Sequence, residues 1–241
     1  MVRVFNLKAG AGLAVAVASW LLWRALAPRP AVLAVGSVGF AGVPLAGADE
    51  VRTFTVLVDG KPGGSCAIAT ATAADGTETV AVTTDVQVKA GLFSYTYHLN
   101  SVEVWRKGQL VSLEAKSNDD GKKRAVKAVA NEQGLVVTVD KDTRKAAGTV
   151  LTATGVRVPA ADKVRDAVLF DAEDGSETAV RVEPLGACRV PLNGKTIEGA
   201  RYKLTGKDVA AEWWFDANGR VIRQEMKWDG HKVVLELNGV K

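Results

Sequence analysis

The sequence predicts a mainly β protein, an antiparallel meander that forms a strongly curved sheet or partial barrel, with at most one or two short helices. Two observations predict this fold class. Short segments in which apolar and polar residues alternate recur from residue 51 onward. Several of them are separated by Asx-Gly pairs, which favour tight hairpins because they tolerate positive φ. Such pairs occur at Asp174-Gly175, Asn193-Gly194 and Asn218-Gly219.

The first 48 residues differ in composition from the rest of the chain. They contain four basic residues, no acidic residue, and two apolar stretches at residues 9–22 and 31–45. Ala46-Gly47-Ala48 then matches the small-x-small pattern that signal peptidase requires. We therefore expect residues 1–48 to be an export signal that is cleaved before Asp49. Residues 49–241 would then form a single β-rich domain in the periplasm or outside the cell.

A membrane anchor is the alternative for this leader. Neither apolar stretch comfortably reaches the roughly 20 residues that a spanning helix needs. Residues 9–26 could nonetheless span a bilayer if Arg24 extended to the interface. In that case the protein would contact the membrane only through the uncleaved leader.

The charge balance argues against nucleic acid as a partner. The chain has 31 basic and 27 acidic residues, and four of the basic ones lie in the leader. The remainder is formally neutral, whereas phosphate binding needs a clustered basic surface.

The segment that begins at residue 93 is the most informative of the predicted strands. Alternate positions are apolar, and the positions between them are polar and include His98. This pattern predicts a strand with one apolar face. A curved sheet that enclosed an apolar cavity would use such a stripe as its lining. The candidate ligand-binding residues are therefore Phe93, Tyr95, Tyr97 and Leu99.

Beyond this stripe the apolar parity changes. After Asn100 the apolar residues are Val102 and Val104. We interpret the change as a β-bulge, which would help the sheet to curl. Residues 141–161 lose clear alternation, and residues 162–170, which carry Val164, Ala167 and Val168, predict one short helix or a crossover.

The tryptophans are expected to be large buried residues, in particular Trp105, Trp214 and Trp228. Trp213 and Trp214 point to opposite faces if their segment is a strand. We therefore expect a helix or loop to cover the second face at that point.

No catalytic or metal-binding constellation is present, and we expect neither a cofactor nor an enzymatic activity. His98 and His231 are isolated, and so are the cysteines Cys66 and Cys188. Metal sites need closer ligand spacing, and no nucleophile has a neighbouring base. In an oxidising compartment Cys66 and Cys188 could form a disulfide, and two separate thiols are the equal alternative.

Residues 103–110, followed by Asn118-Asp119-Asp120-Gly121, resemble an uncharacterised family of exported bacterial proteins, the domain of unknown function 6134 type. The resemblance continues at Pro184-Leu185-Gly186 and at residues 214–220, and covers residues 51–237. It implies an exported β-rich domain and supplies no catalytic residues. The layout is also distantly similar to lipoprotein carriers of the LolA and LolB type, whose curved sheet holds acyl chains.

Three functions remain open on the sequence. The leading hypothesis is an envelope protein that binds an apolar or amphipathic ligand, such as lipid, inside the curved sheet. The second is a structural or protein-interaction module of the envelope that has no cavity. The third is a hydrolase whose acidic residues the sequence does not identify.

Overall fold

The protein was analysed as a computed structural model that describes residues 47–90, 93–159, 162–192, 194–228 and 230–241. Apart from Gly47 and Ala48, the predicted export signal lies outside the described residues. Within these ranges the regular structure consists of strands without a helix, and so no helix there could cross a membrane. The predicted mainly β fold class is confirmed.

Fifteen strands form one sheet. They are β1 Glu50–Val58, β2 Lys61–Thr72, β3 Glu78–Ala90, β4 Phe93–Arg106, β5 Gln109–Asp119, β6 Lys122–Asn131, β7 Gly134–Val139, β8 Asp142–Ala146, β9 Leu151–Thr152, β10 Arg165–Phe170, β11 Glu177–Leu192, β12 Lys195–Gly206, β13 Val209–Asp216, β14 Val221–Trp228 and β15 His231–Val240.

The sheet is a meander whose two halves are joined by the first and last strands. Strands β1 to β8 follow one another on one side, β15 back to β9 follow on the other, and β1 pairs with β15. All neighbouring strands are antiparallel except β9 and β10, which are parallel. The sheet edges are therefore β8 and β9.

One face of this sheet carries the apolar core. Because directly paired residues share a face, the register places Phe54 with Leu237 on one side and with Cys66 on the other. All three side chains are buried and belong to one continuous apolar cluster. The sheet curves around this inner face until its two ends meet. At the meeting point the Arg144 guanidinium of β8 donates to the backbone oxygen of Gly175, between β10 and β11.

Residues 147–159, here called the crossing segment, fill part of the interior. Val150, Leu151 and Val156 in this segment are buried in the apolar cluster. Gly155 has φ +63°, and a Cβ atom there would lie 3.1 Å from Trp213 Cε2 as well as against Gln224. The crossing segment therefore passes so close to β13 and β14 that a side chain does not fit at residue 155.

The predicted bulge near Asn100 is wrong. The β3–β4 register runs without interruption from Glu78 opposite Trp105 to Ala90 opposite Phe93. The inner face of β4 therefore continues through Ser101 and Glu103 to Trp105, and all three residues are buried. The parity changes because polar residues occupy the inner face at Ser101 and Glu103. An irregularity does occur in the β4–β5 pairing, but its extra residue is Val111 on β5, opposite the step from Val104 to Trp105.

Trp213 and Trp214 lie on opposite faces, as predicted, but neither a helix nor a loop from the described residues covers Trp214. The guanidinium carbons of Arg201 and Arg223 lie 4.9 and 5.6 Å from the Trp214 ring centroid. These two side chains, from the flanking strands β12 and β14, cover the outer face of the indole by cation–π contact. Trp214 is therefore buried by its neighbours within the sheet.

The predicted short helix at residues 162–170 is also wrong. Arg165–Phe170 form strand β10, which pairs with β11 over six residues. The spacing of Val164, Ala167 and Val168 suited a helix, but pairing with β11 on one side and β9 on the other outweighs this local signal.

The burial of Trp105 yields a stability prediction. Trp105 is 2% exposed, whereas Trp228 is 39% exposed. Trp105→Ala should lower the free energy of unfolding by about 3–5 kcal/mol, the range for a truncated buried aromatic. The same change at Trp228 should cost less than about 1 kcal/mol. Urea denaturation measures both, and equal losses at the two positions would contradict the assignment of the interior.

Candidate functional site

The predicted aromatic stripe lies on the inner face of β4. Leu99 is buried in the core. Tyr97, which is nearer the start of β4, packs against the core. Tyr95 follows at the end of the inner face and is half-buried. Phe93 is in the strand, but its side chain lies outside what the structure describes. The stripe thus runs from the core to one opening of the curved sheet.

Trp228 joins the two tyrosines at this opening. Its ring centroid lies 5.7 Å from that of Tyr95 and 5.4 Å from that of Tyr97, both in edge-to-face geometry. Since four strands separate β14 from β4 in the sheet, these contacts cross the concave side. We call Tyr95, Tyr97 and Trp228 the aromatic rim, and the opening they border the rim end. The predicted burial of Trp228 is wrong, because 39% of the residue is exposed.

The tyrosine side chains of the rim lie near carboxylates. Tyr95 Oη donates to Asp119 Oδ1 at 2.8 Å, and Glu173 is the carboxyl group that acts most strongly on the Tyr97 hydroxyl. Burial raises the pKa of both tyrosines, and the neighbouring carboxylates raise it further. The rim therefore combines apolar ring surfaces with a row of hydrogen-bond acceptors.

The turn between β10 and β11, residues 171–176, supplies three acidic residues at the rim end, Asp171, Glu173 and Asp174. Burial raises the pKa of Glu173 to about 7, and the nearby Asp171 and Asp119 carboxylates act in the same direction. Arg124 on β6 acts against them, and its Nη1 lies 3.3 Å from Asp174 Oδ2. The pKa of Asp171 is also raised, chiefly by burial.

Further inside, Glu103 forms a closed polar ring with the crossing segment. Thr152 Oγ1 and Trp105 Nε1 each donate to Glu103 Oε2 at 2.9 Å. Thr154 Oγ1 lies 2.5 Å from Glu103 Oε1 and 2.8 Å from Thr152 Oγ1. Glu103 is fully buried, and burial raises its pKa.

Thr154, Thr152 and Trp105 all donate to the Glu103 carboxyl group. A charge at this buried position is costly unless its hydrogen bonds offset the lost hydration, and the burial of Glu103 favours the protonated form of the group. The ring ties the crossing segment to β4.

A depression on the sheet lies outside the interior. It measures about 400 Å³ and follows the outer face of strands β3 to β7, over Ala81, Asn100 and Ala125. On the same face Asp85, His98 and Asn100 form a hydrogen-bonded row, with 2.6 Å from Asp85 Oδ1 to His98 Nδ1 and 2.7 Å from His98 Nε2 to Asn100 Nδ2. His98 is engaged in this row and is only half-exposed.

A disulfide between Cys66 and Cys188 is not formed. Both are free thiols, Cys66 buried on β2 and Cys188 half-buried on β11. Five strands separate β2 from β11 in the sheet order. Burial raises the pKa of the Cys66 thiol to about 11 and also raises that of Cys188. No group of three or more His, Cys, Asp or Glu side chains in the described ranges is placed to hold a metal ion.

Comparison with known proteins assigns the family. The model of the family described as Domain of unknown function (DUF6134) matches residues 54–238, well over half of the chain. The chain belongs to this family. The resemblance seen in the sequence is thereby confirmed. No curated protein matches the DUF6134 chain.

A solved structure shares the fold of this DUF6134 domain. It is a β-barrel-like protein of domain of unknown function DUF1849 from Brucella abortus, 13% identical in sequence, with a TM-score of 0.60. The alignment covers 80% of this chain and 97% of that one. At this identity the likeness establishes a barrel-like architecture and nothing about function.

Sequence reasoning missed the positions of two residues of the candidate site and its surroundings. Trp228 was placed in the core, because a strand pattern does not show where along its length a strand leaves the interior. Glu103 was assigned no role. The signal that could have found it was the parity change after Asn100, since a polar residue on an otherwise apolar face suggests a buried polar group.

The ring around Glu103 predicts different outcomes for two substitutions. Glu103→Gln keeps an amide donor for Thr154 and an oxygen acceptor for Thr152 and Trp105, and should leave stability near neutral pH unchanged or higher. Glu103→Ala leaves those partners unsatisfied and should lower the free energy of unfolding by about 3–5 kcal/mol.

The pH dependence of the free energy of unfolding provides the control for these two Glu103 substitutions. A raised pKa means that the native state binds the proton more tightly than the unfolded chain, so the stability from Glu103 is lost as pH rises above the unfolded value. Denaturation across acidic to alkaline pH should show this loss in wild-type protein and a smaller loss in Glu103→Gln. Identical profiles would mean that Glu103 is ionised in its ring.

Proposed function

We propose that this DUF6134 protein is an exported, non-enzymatic binding protein that takes an apolar or amphipathic ligand, such as lipid, at the aromatic rim. The observation that carries the proposal is the exposure of Trp228. The Trp228 indole lies on the inner face, at an opening, in contact with two tyrosine rings. Its exposed apolar surface is unfavourable in water, and a ligand that covered this surface would gain free energy. Such partly exposed aromatic groups are typical of binding sites.

The chemistry of the rim supports an amphipathic ligand. The three rings offer a broad apolar contact, Met226 continues it along β14 toward the core, and Val88 lies beside Tyr95 in the register. Asp119 places an acceptor at the outer margin of this contact, and Glu173 supplies a further carboxyl group near Tyr97. A ligand with an apolar body and a head group that donates hydrogen bonds matches both parts. The similarity in layout to lipoprotein carriers supports the same class of ligand.

The filled interior changes where the ligand would lie. The core cluster and the crossing segment occupy the described interior, which leaves the rim, rather than a deep cavity, as the contact surface. An acyl chain would reach further inward only if the crossing segment or the turn at residues 171–176 moved.

The same filled interior favours a second candidate, a structural or protein-interaction module of the envelope. In that case Trp228 would contact another protein. The two candidates differ in whether the isolated protein binds a small apolar molecule, which a fluorescence titration measures.

N-phenyl-1-naphthylamine, an uncharged probe whose fluorescence rises in apolar surroundings, should bind wild-type protein saturably. Trp228→Ala should weaken binding about tenfold or more, which corresponds to about 1.4 kcal/mol of lost contact. Leu185→Ala is the matched control, because Leu185 is also an apolar residue with 39% exposure but lies on β11. It should leave binding unchanged.

Thermal melts of both variants exclude unfolding as the cause of a loss. Absence of saturable binding by folded wild-type protein would contradict the proposal and favour the interaction module. Equal weakening by the two variants would show that the probe does not read the rim.

A further inference from the structure

The rings of the aromatic rim are open to a cation. Aromatic faces attract positive charge, and two other tryptophans of the protein already hold arginine side chains in this way. The guanidinium carbon of Arg157 lies 5.7 Å from the ring centroid of Trp105, and two arginines flank Trp214. Among the described residues, no arginine or lysine stacks on a ring of the aromatic rim, and 39% of Trp228 is exposed.

Asp119 lies beside these rings and has bonding capacity to spare. It stands opposite Tyr97 in the β4–β5 register, and its Oδ1 accepts from Tyr95 Oη at 2.8 Å. A carboxylate can accept about four hydrogen bonds. No donor from the described ranges bonds to Oδ2, and no described cation forms an ion pair with Asp119, although Lys122 stands opposite it in the β5–β6 register. Asp119 is half-buried, and so its charge would gain from a cationic partner.

Tyr95 connects the open ring surface to this carboxylate. Its ring contacts Trp228 edge to face, with 5.7 Å between the ring centroids, and its hydroxyl donates to Asp119. The exposed indole and the free carboxylate oxygen are therefore separated by the length of one tyrosine side chain. A small head group at the rim end can reach both.

The wider surroundings of the rim also favour a cation. Asp171 and Glu173, from the turn at residues 171–176, lie close enough to act electrostatically on Tyr97. Arg124 approaches the same turn from β6, but its Nη1 lies 3.3 Å from Asp174 Oδ2 and is thus already paired. A positive head group that enters the rim end is attracted by these carboxylates, and a negative one is repelled.

We propose that the aromatic rim binds the ammonium head group of a cationic amphiphile, with Asp119 as the hydrogen-bond acceptor and the alkyl chain along the rings toward Met226. This inference rests on the proposed function and specifies the chemistry of the head group. A primary ammonium fits better than a quaternary one, because it carries three N–H donors for a carboxylate. A quaternary ammonium has no N–H group, and could use only the ring faces.

Calorimetric titration with a set of amphiphiles that share one alkyl chain tests the head group. At about pH 7.5 n-octylammonium is protonated, since its amine resembles that of lysine, whereas 1-octanol is neutral and octanoate is negative. Below their micelle-forming concentrations, n-octylammonium should bind wild-type protein about tenfold more tightly than 1-octanol. Octanoate should bind more weakly than 1-octanol. Octyltrimethylammonium should bind more weakly than n-octylammonium, and equal binding would overturn the assignment of Asp119 as acceptor.

Asp119→Asn removes the charge and keeps an oxygen that can accept from Tyr95. It should weaken n-octylammonium binding about tenfold and leave 1-octanol binding unchanged. Asp120→Asn is the matched control, because it removes the same charge from the next residue, which is exposed in the β5–β6 turn and has φ +46°, a conformation that asparagine tolerates. It should leave binding of both amphiphiles unchanged. Equal weakening by the two variants would overturn the site, since it would show that only the general field of the surface attracts the cation.

The same titrations separate this inference from the proposed function. If n-octylammonium, 1-octanol and octanoate bound equally, the apolar site would stand and the ammonium site would be overturned. If ethylammonium, which has the head group without the long chain, bound as tightly as n-octylammonium, ammonium recognition would stand and the amphiphile would be overturned. Absence of binding by every member of the set, with thermal melts showing folded protein, would overturn both.

Discussion

A sheet of fifteen strands that curves until its ends meet must have its inner face filled, and this requirement shapes the rest of the molecule. Side chains of the strands supply most of the filling, and the crossing segment supplies the remainder. A polypeptide that passes through an apolar interior brings backbone and hydroxyl groups with it, and each of them needs a partner. Glu103 and Gln224 are the partners: Glu103 closes the ring with Thr152 and Thr154, and Gln224 donates to the Thr154 carbonyl at 2.9 Å.

The two openings of the sheet differ in the contacts that their side chains make. At the end where β4 finishes, cations and carboxylates are matched. Arg52 bonds to Glu50 and to Asp216 at 2.6 Å, while Arg157 and Arg220 both pair with Glu78. These ion pairs fasten the end of the crossing segment and the β13–β14 turn. At the rim end, Asp119 accepts from Tyr95 and an indole is partly exposed. Ion pairs occur here too, among them Arg124–Asp174 and His231–Asp59. The two openings therefore differ chiefly in the aromatic surface that the rim end leaves uncovered.

The sequence was sufficient for the fold class and for the face on which the aromatic stripe lies, because alternation of period two reports directly which residues share a face. It was insufficient wherever a contact joined strands distant in the chain. Trp228 meets Tyr95 only because the sheet curves, and a strand pattern carries no information about curvature. The outer face of Trp214 is covered by Arg201 and Arg223, which alternation records merely as polar residues. Residues 165–170 are a strand because β11 pairs with them, which local propensity does not show.

The change of parity in β4 is the most instructive of these cases. A bulge and a buried polar residue produce the same pattern in sequence, and the choice between them depends on whether partners exist for the polar group. Thr152 and Thr154 are those partners, and they come from a segment whose path was not predictable.

Ligand binding at the aromatic rim is tested most directly by native mass spectrometry of protein purified from its own cell envelope. If the rim binds lipid, a fraction of the wild-type protein should be heavier than the bare chain by the mass of a lipid. This fraction should be smaller in Trp228→Ala and unchanged in Leu185→Ala. Wild-type protein that is folded and carries no added mass, under conditions that preserve lipid complexes of a known carrier, would contradict it.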